Sequence, residues 1–352
     1  MKIIRLTTLL DFGGAEKKYL SFSEQKELLH HQYVFAAIGY GGNAEEIIRE
    51  RGFEVHILNR NPAIRNLKNI FVLYKFFKKI KPDIVHTAAA EANFHGVIAA
   101  KLAGVKTVYA EEIGIPNHSK LARKIFNKVY RWTKGIICVS LAVKKHLISI
   151  GEINDKKGIV LYNPVGVPEK IDKKPSEYFN VVYAGRLERV KNVGLLINAF
   201  AKLSHNDKMK LTVVGDGRER QQLEELTMSL GVENRVTFVG FSKKPEEYVS
   251  QADLFVMPSL SEGFGIAVVE AMFQGIPCLC SKVGGIPEFI NDGKTGYLFN
   301  PDNLQELISK IEKIYDLPAY KRKIIGEKGQ EYAFTHFSNQ KYVCELEKIY
   351  EQ

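Results

Sequence analysis

Long apolar runs are missing from this 352-residue sequence, and cysteines are scarce. No stretch approaches the roughly 18–20 apolar residues that a bilayer span needs, so no membrane-crossing helix is expected. The opening Met1–Thr8 turns polar too soon for a secretory leader and reads as a buried strand. Four cysteines are too few for a disulfide framework in a chain of this size, which fits a reducing cytoplasm. Cys278 and Cys280 form a C-x-C, but Ile276–Cys280 has the character of a short buried strand with both thiols on one face. No His or Cys accompanies them, so packing is expected there and no metal. The G-x-G-x-x-G dinucleotide fingerprint is absent. So are tandem repeats, zinc fingers and the aromatic RNA-binding pattern, and a nucleic-acid partner is not expected.

What is present is ordinary for a packed protein: 45% hydrophobic and 26% charged residues. The net charge of +10 is unevenly spread. Residues 1–170 hold 27 Lys and Arg against 15 Asp and Glu, a balance of +12; subtraction from totals of 50 and 40 leaves 23 against 25, or −2, for the rest. A basic first half points to an anionic partner. Short apolar runs at Ile3–Leu6, Tyr33–Ile38, Phe53–Leu58, Asp83–His86, Thr107–Ala110 and Ile136–Val139 read as strands. Helical patterns at Ala15–His31, Asn66–Lys81, Ala92–Ala103 and Ser119–Trp132 lie between them. After a Pro-rich, charged break near residue 165, strands recur at Asn180–Ala184, Lys210–Val214, Arg235–Phe238, Asp253–Met257 and Pro277–Cys280.

Such alternation predicts an α/β protein of two tandem Rossmann-like, doubly wound domains facing across a cleft. Their expected bounds are 1–165 and 166–337, with a C-terminal helix in 338–352 free to pack back on the first. In open parallel sheets ligands bind beyond the carboxyl ends of the strands. The unusual residues fall there. Gly13 and Gly14 follow the first strand, as a tight turn or as an approach for an anion at a helix start. Arg186 and Lys191 follow the first strand of the second half, as solvated charge or as a clamp on a diphosphate. Glu262, the loop Gly263-Phe264-Gly265 and Ile266 precede a helix that carries Glu270 in an apolar stretch, where a charge needs a partner. The loop amides suit a phosphate, Glu270 a ribose diol and Glu262 the hydroxyls of a sugar. Gly284-Gly285 follows the next strand, with a turn as its simplest role.

Together these segments resemble the family-4 retaining glycosyltransferases (glycosyl transferases group 1), which have the GT-B fold. The matching residues are Gly13-Gly14-Ala15-Glu16, Gly185-Arg186-Leu187 with Lys191-Asn192, and Val214-Gly215-Asp216-Gly217. Glu262-Gly263-Phe264-Gly265 through Glu270 and Gly284-Gly285-Ile286-Pro287-Glu288 complete the set. The resemblance implies that Arg186 and Lys191 hold the donor diphosphate, Glu270 the ribose, Glu262 the donor sugar and the Gly263–Ile266 amides the phosphates. Gly14 would touch the diphosphate, and the base would lie near Gly240-Phe241. It implies a UDP- or GDP-linked sugar as co-substrate, a glycan or lipid-linked acceptor, and no metal or other cofactor.

The first half departs from the commoner family pattern. The run Asp83-Ile84-Val85-His86-Thr87-Ala88 has one histidine where many members carry H-x-H. After the fifth strand, Glu111 falls closest to a position that many members fill with histidine, and one gap would exchange it for Glu112. A carboxylate there suits orienting a substrate or acting as a base. Glu91, Asn93 and His118 are expected on the acceptor side. The helices around Lys75–Lys81 and Lys120–Trp132 combine cations with an apolar stripe. That pattern suits either a core-facing helix with a solvated face or contact with the anionic inner surface of a membrane by a cytoplasmic protein. The competing readings are a sugar-nucleotide epimerase or hydrolase of the same fold and a non-catalytic nucleotide-binding protein.

Overall fold

The computed structural model describes every residue except Phe12, Lys170 and His205, and every side chain but those of Gly14, Ala15 and Asn206 besides. The chain forms two compact units. The first is Met1–Gly166 together with Phe337–Gln352, and the second is Val167–His336.

Seven parallel strands build the first unit: β1 (Lys2–Thr7), β2 (Gln32–Ala37), β3 (Glu54–Ile57), β4 (Ile84–Ala88), β5 (Thr107–Glu112), β6 (Gly135–Cys138) and β7 (Gly158–Val160). Their order is β3-β2-β1-β4-β5-β6-β7. Helices α1 (Gly14–Ser23), α2 (Asn43–Glu50), α3 (Lys68–Ile80), α4 (Ala90–Ala103), α5 (Lys120–Tyr130) and α6 (Leu141–Ser149) connect them. Ile3, Ile4, Leu6, Ile136 and Ile137 are fully buried, as strands covered on both faces must be. Ser119 and Ser140 cap α5 and α6 through hydrogen bonds from the Ala122 and Val143 amides. Gly104 ends α4 in the left-handed region, where a Cβ is strained.

The expected helix Ala15–His31 is shorter than its sequence pattern. It stops at Ser23, and a 3₁₀ turn at Lys26–Leu28 follows. Arg51 explains the stop, because its Nη1 donates to the Leu20 carbonyl and the Ser23 hydroxyl that close the helix.

The second unit holds six parallel strands: β8 (Phe179–Ala184), β9 (Met209–Val214), β10 (Val236–Gly240), β11 (Leu254–Met257), β12 (Cys278–Ser281) and β13 (Tyr297–Phe299). Their order is β10-β9-β8-β11-β12-β13. Helices α7 (Val193–Ala201), α8 (Arg220–Ser229), α9 (Glu246–Val249), α10 (Ile266–Phe273), α11 (Leu304–Asp316) and α12 (Ala319–Phe337) complete it. Cys278 and Cys280 are free thiols buried in β12. The last helix, α13 (Asn339–Glu351), returns to the first unit. There Tyr342, Val343, Leu346, Ile349 and Tyr350 join a core with Ile3, Phe22, Phe35, Ile84 and Tyr109.

Candidate active site

In the second unit the carboxyl ends of β8, β9 and β11 lie side by side, because these strands are neighbours in a parallel sheet. Close backbone packing shapes this edge. Gly215 has φ +136°, and a Cβ on it would stand 1.9 Å from the Gly185 carbonyl oxygen. Only glycine permits that approach. Gly284 is equally constrained: a Cβ there would lie 1.6 Å from the carbonyl oxygen of Glu262. The Leu260 amide donates to the Val190 carbonyl at 2.8 Å, tying the loop after β11 to the loop after β8.

These two loops bring Lys191 and Glu262 together. Lys191 Nζ lies 2.5 Å from Glu262 Oε1, which also accepts from the Ser259 hydroxyl at 2.8 Å. Glu262 is nearly buried and Lys191 mostly so, which makes this a stronger pair than an exposed one. Arg186 is exposed on the same β8 loop. Its carbonyl, not its guanidinium, is anchored, by the Tyr183 hydroxyl at 2.9 Å. Gly265 caps α10 in the left-handed region at φ +105°, with no side-chain hydrogen bond at the cap among the described residues. Glu270 is half-buried one turn beyond it, and Ile266 is half-buried at its start. Phe264 differs from expectation. Its ring is buried against Phe289, so its side chain belongs to the core and only its backbone faces the loop. Gly240 is buried at φ +83° and Phe241 is exposed at the end of β10.

In the first unit, Gly13 precedes α1 in extended backbone, and the Lys17 amide donates to its carbonyl. Gly14 opens α1, and what surrounds it lies outside the described residues. Glu111 and Glu112 end β5, and the alternation of a strand sends them to opposite faces. Neither is an open catalytic carboxylate. Glu111 is sealed from solvent, with Lys18 Nζ at 2.5 Å, His86 Nε2 at 3.2 Å and Arg5 Nη2 at 3.8 Å. Burial alone pushes its carboxyl up, but the Lys18 ammonium, with His86 and Arg5, holds it well below the usual carboxylate range.

Glu112 is buried on the other face, where the Tyr130 hydroxyl and Asn93 Nδ2 donate to its Oε1. Asn93 is wholly buried and spans Thr87, the Glu111 carbonyl and Glu112. These bonds brace β4 against β5 and occupy both ends of its amide. His118 Nδ1 donates to Glu152 Oε1 across 2.7 Å, and its ring stacks on Phe126. Glu91 is half-buried and accepts from the Thr8 hydroxyl at 3.3 Å. Thus Arg5, Lys18, Tyr130 and Glu152, which had no sequence signal of their own, complete the polar interior at this edge.

Burial pushes the Glu112 carboxyl up to about 7 from 4.5, against the hydrogen bonds of Tyr130 and Asn93. The native state then binds more protons than the unfolded state between those values, so this group's contribution to stability falls as pH rises through that window. Glu112→Gln keeps both hydrogen bonds to Oε1. It is expected to stabilise the protein at pH 8 by up to about 3 kcal/mol, the product of the shift and 1.36 kcal/mol per unit. The gain vanishes below pH 4.5. Denaturant titrations at pH 5 and pH 8 check this, and an equal effect at both would contradict it.

Two family models match this chain: Glycosyl transferases group 1 over residues 168–332 and Glycosyltransferase Family 4 over residues 12–167. The N-acetyl-alpha-D-glucosaminyl L-malate synthase of Bacillus anthracis is 33% identical over 171 residues, 48% of this chain and 44% of that protein. The chain thus matches less than half the length of that relative. The UDP-Gal:alpha-D-GlcNAc-diphosphoundecaprenol alpha-1,3-galactosyltransferase of Escherichia coli is 28% identical over 291 residues, 76% of this chain and 75% of that one. Among solved structures, Anabaena HepE in complex with UDP-glucose shares the fold at TM-score 0.86 and 22% identity, covering 100% of this chain and 99% of that one.

Proposed function

The chain belongs to the family-4, group 1 glycosyltransferases of GT-B fold, and on that premise we propose that it moves a sugar from a UDP- or GDP-linked donor to a hydroxyl of a glycan or lipid-linked acceptor. The reaction proceeds with retention of configuration, in polysaccharide or glycoconjugate synthesis. The observation that carries this reading is the Lys191–Glu262 pair at the carboxyl edge of the second sheet, beside two glycine-lined loops. Lys191 and Arg186 stabilise the diphosphate as it leaves, work that positioned side-chain cations perform without a metal. Glu262 fixes Lys191 and takes sugar hydroxyls, Glu270 takes the ribose, and the amides of Gly263–Ile266 take phosphate oxygens. Gly13 and Gly14 contribute backbone to the diphosphate, and Gly240 and Phe241 flank the base. The acceptor hydroxyl attacks the anomeric carbon as the leaving phosphate accepts its proton, so no enzyme nucleophile is required.

The relatives' names support the donor and acceptor classes, since one is a UDP-Gal-dependent enzyme with a diphosphoundecaprenol-linked substrate. A panel of UDP- and GDP-sugars, followed by melting temperature and by product analysis with polyprenyl-diphosphate-linked acceptors, tests the proposal. A donor epimerised or hydrolysed without acceptor would favour those activities. No stabilisation by any nucleotide sugar would remove all donor-based readings.

A membrane-facing surface suits a lipid-linked acceptor. Among the described residues no helix is long and apolar enough to cross a membrane. On α5, however, Leu121 and Ile125 are exposed among Lys120, Arg123, Lys124 and Lys128, and these residues line a surface groove of about 600 Å³. On α3, Phe71 is exposed with Lys75 Nζ 4.4 Å from its ring centroid. Cations around inserted apolar side chains are the composition of a peripheral anionic-lipid contact. The protein is expected to float with phosphatidylglycerol vesicles and not with phosphatidylcholine ones. Leu121→Asp with Ile125→Asp abolishes flotation; retained flotation of that variant would exclude α5.

A further inference from the structure

The buried charges under α1 exceed what stability calls for. Arg5 of β1, Lys18 of α1, His86 of β4 and Glu111 of β5 meet with almost no exposure. Burial pulls the His86 imidazole down to about 4, so it is neutral and the cluster holds two cations against one carboxylate. Arg5 Nε and Nη1 lack hydrogen-bond partners there among the described atoms. A buried ion costs free energy even when paired, and hydrophobic residues of similar volume in place of a whole buried pair commonly do as well or better. The Lys18–Glu111 pair is therefore weakly accounted for by stability alone.

Its position gives it another use. Gly13 provides no side-chain cap for α1, and Lys18 is the first buried side chain among those described in the helix. Lys18 follows directly on Lys17, whose amide holds the Gly13 carbonyl at 3.0 Å. Its ammonium reaches Glu111 at the carboxyl end of β5. From α13, the Tyr342 hydroxyl accepts from Arg5 Nη2 at 3.1 Å and the Tyr350 hydroxyl meets His86 Nδ1 at 2.5 Å, closing the cluster to water.

We propose that Lys18 and Glu111 are positioning residues: their pair fastens α1, at the residue just after its first turn, to the end of β5 and thereby fixes the Gly13–Gly14 turn for substrate. This rests on the reading of that turn as a donor contact. Glu111 thus acts through Lys18 and not on the reacting atoms.

Lys18→Met conserves volume, removes the excess cation and cuts the tether. It leaves Glu111 with only Arg5 and His86 beside it and is expected to melt below the wild type, while the amides of Lys17–Leu20 exchange about tenfold faster than the loosening of the rest of the unit accounts for. Its kcat/KM for the nucleotide sugar falls roughly ten- to a hundredfold, the scale of an ångström-level misplacement. The loss lies in donor KM, with acceptor KM unchanged, and Lys18→Arg recovers most of it. Unaltered exchange, or faster exchange with unaltered donor KM, overturns the proposal. Wild-type protein that binds no nucleotide sugar would instead sink the donor reading, and exchange alone then decides whether Lys18 holds the turn.

Discussion

Lys191→Ala and Glu262→Ala are each expected to cripple sugar transfer while the protein stays folded. The expected loss in kcat is about 10²–10³-fold for removing one preorganised charge aimed at the departing group. The two changes act on one unit, because Lys191 Nζ and Glu262 Oε1 stand 2.5 Å apart. Their effects will therefore not add, and the double variant is expected to be little worse than either single one. The stability effects differ. Lys191→Ala leaves a nearly buried carboxylate with the Ser259 hydroxyl, at a cost of about 1–3 kcal/mol. Glu262→Ala frees a lysine that can reach water. Initial rates across donor concentrations, read beside melting curves, separate the two effects. Near-normal turnover in either single variant would remove the site assignment.

Removing residues 339–352 is expected to unfold the first unit and spare the second. The deletion strips Tyr342, Val343, Leu346, Ile349 and Tyr350 from a core that includes Ile3, Phe35 and Tyr109. At roughly 1.5–3 kcal/mol for each large buried side chain, the loss is about 10 kcal/mol, comparable to the whole stability of a domain. It also exposes Arg5 and His86 by taking away the tyrosine hydroxyls they meet. Calorimetry should show one transition where the full chain shows contributions from two units. A truncated protein with both transitions intact would contradict this account of α13.

The fold was legible because buried parallel strands are short apolar runs separated by helical patterns, and eleven such runs fall on strands. β7 and β13 escaped notice: Gly158–Val160 and Tyr297–Phe299 are three residues each, too short to show a period. In the second unit the residues gathered around Glu262 were legible too, since glycine turns and charges lie close together in sequence there. The first unit was harder. Lys18 sits in Gly14–Ser23, a segment with little amphipathic pattern, and its partner Glu111 is on another strand far along the chain. Alternation separates Glu111 from Glu112, but only packing shows which face meets α1 and which meets α5. Phe264 looked like a loop residue because its ring partner, Phe289, lies beyond the next strand.

The return of α13 to the first unit has a consequence for how the protein is made. A ribosome delivers residues 1–166 early, yet the helix that roofs them follows only after the whole of the second unit. The contiguous segment 167–336 can close as soon as it emerges. Nascent chains stalled before Asn339 should therefore be protease-resistant in their later half and sensitive in their earlier one. The portion translated first is the portion completed last.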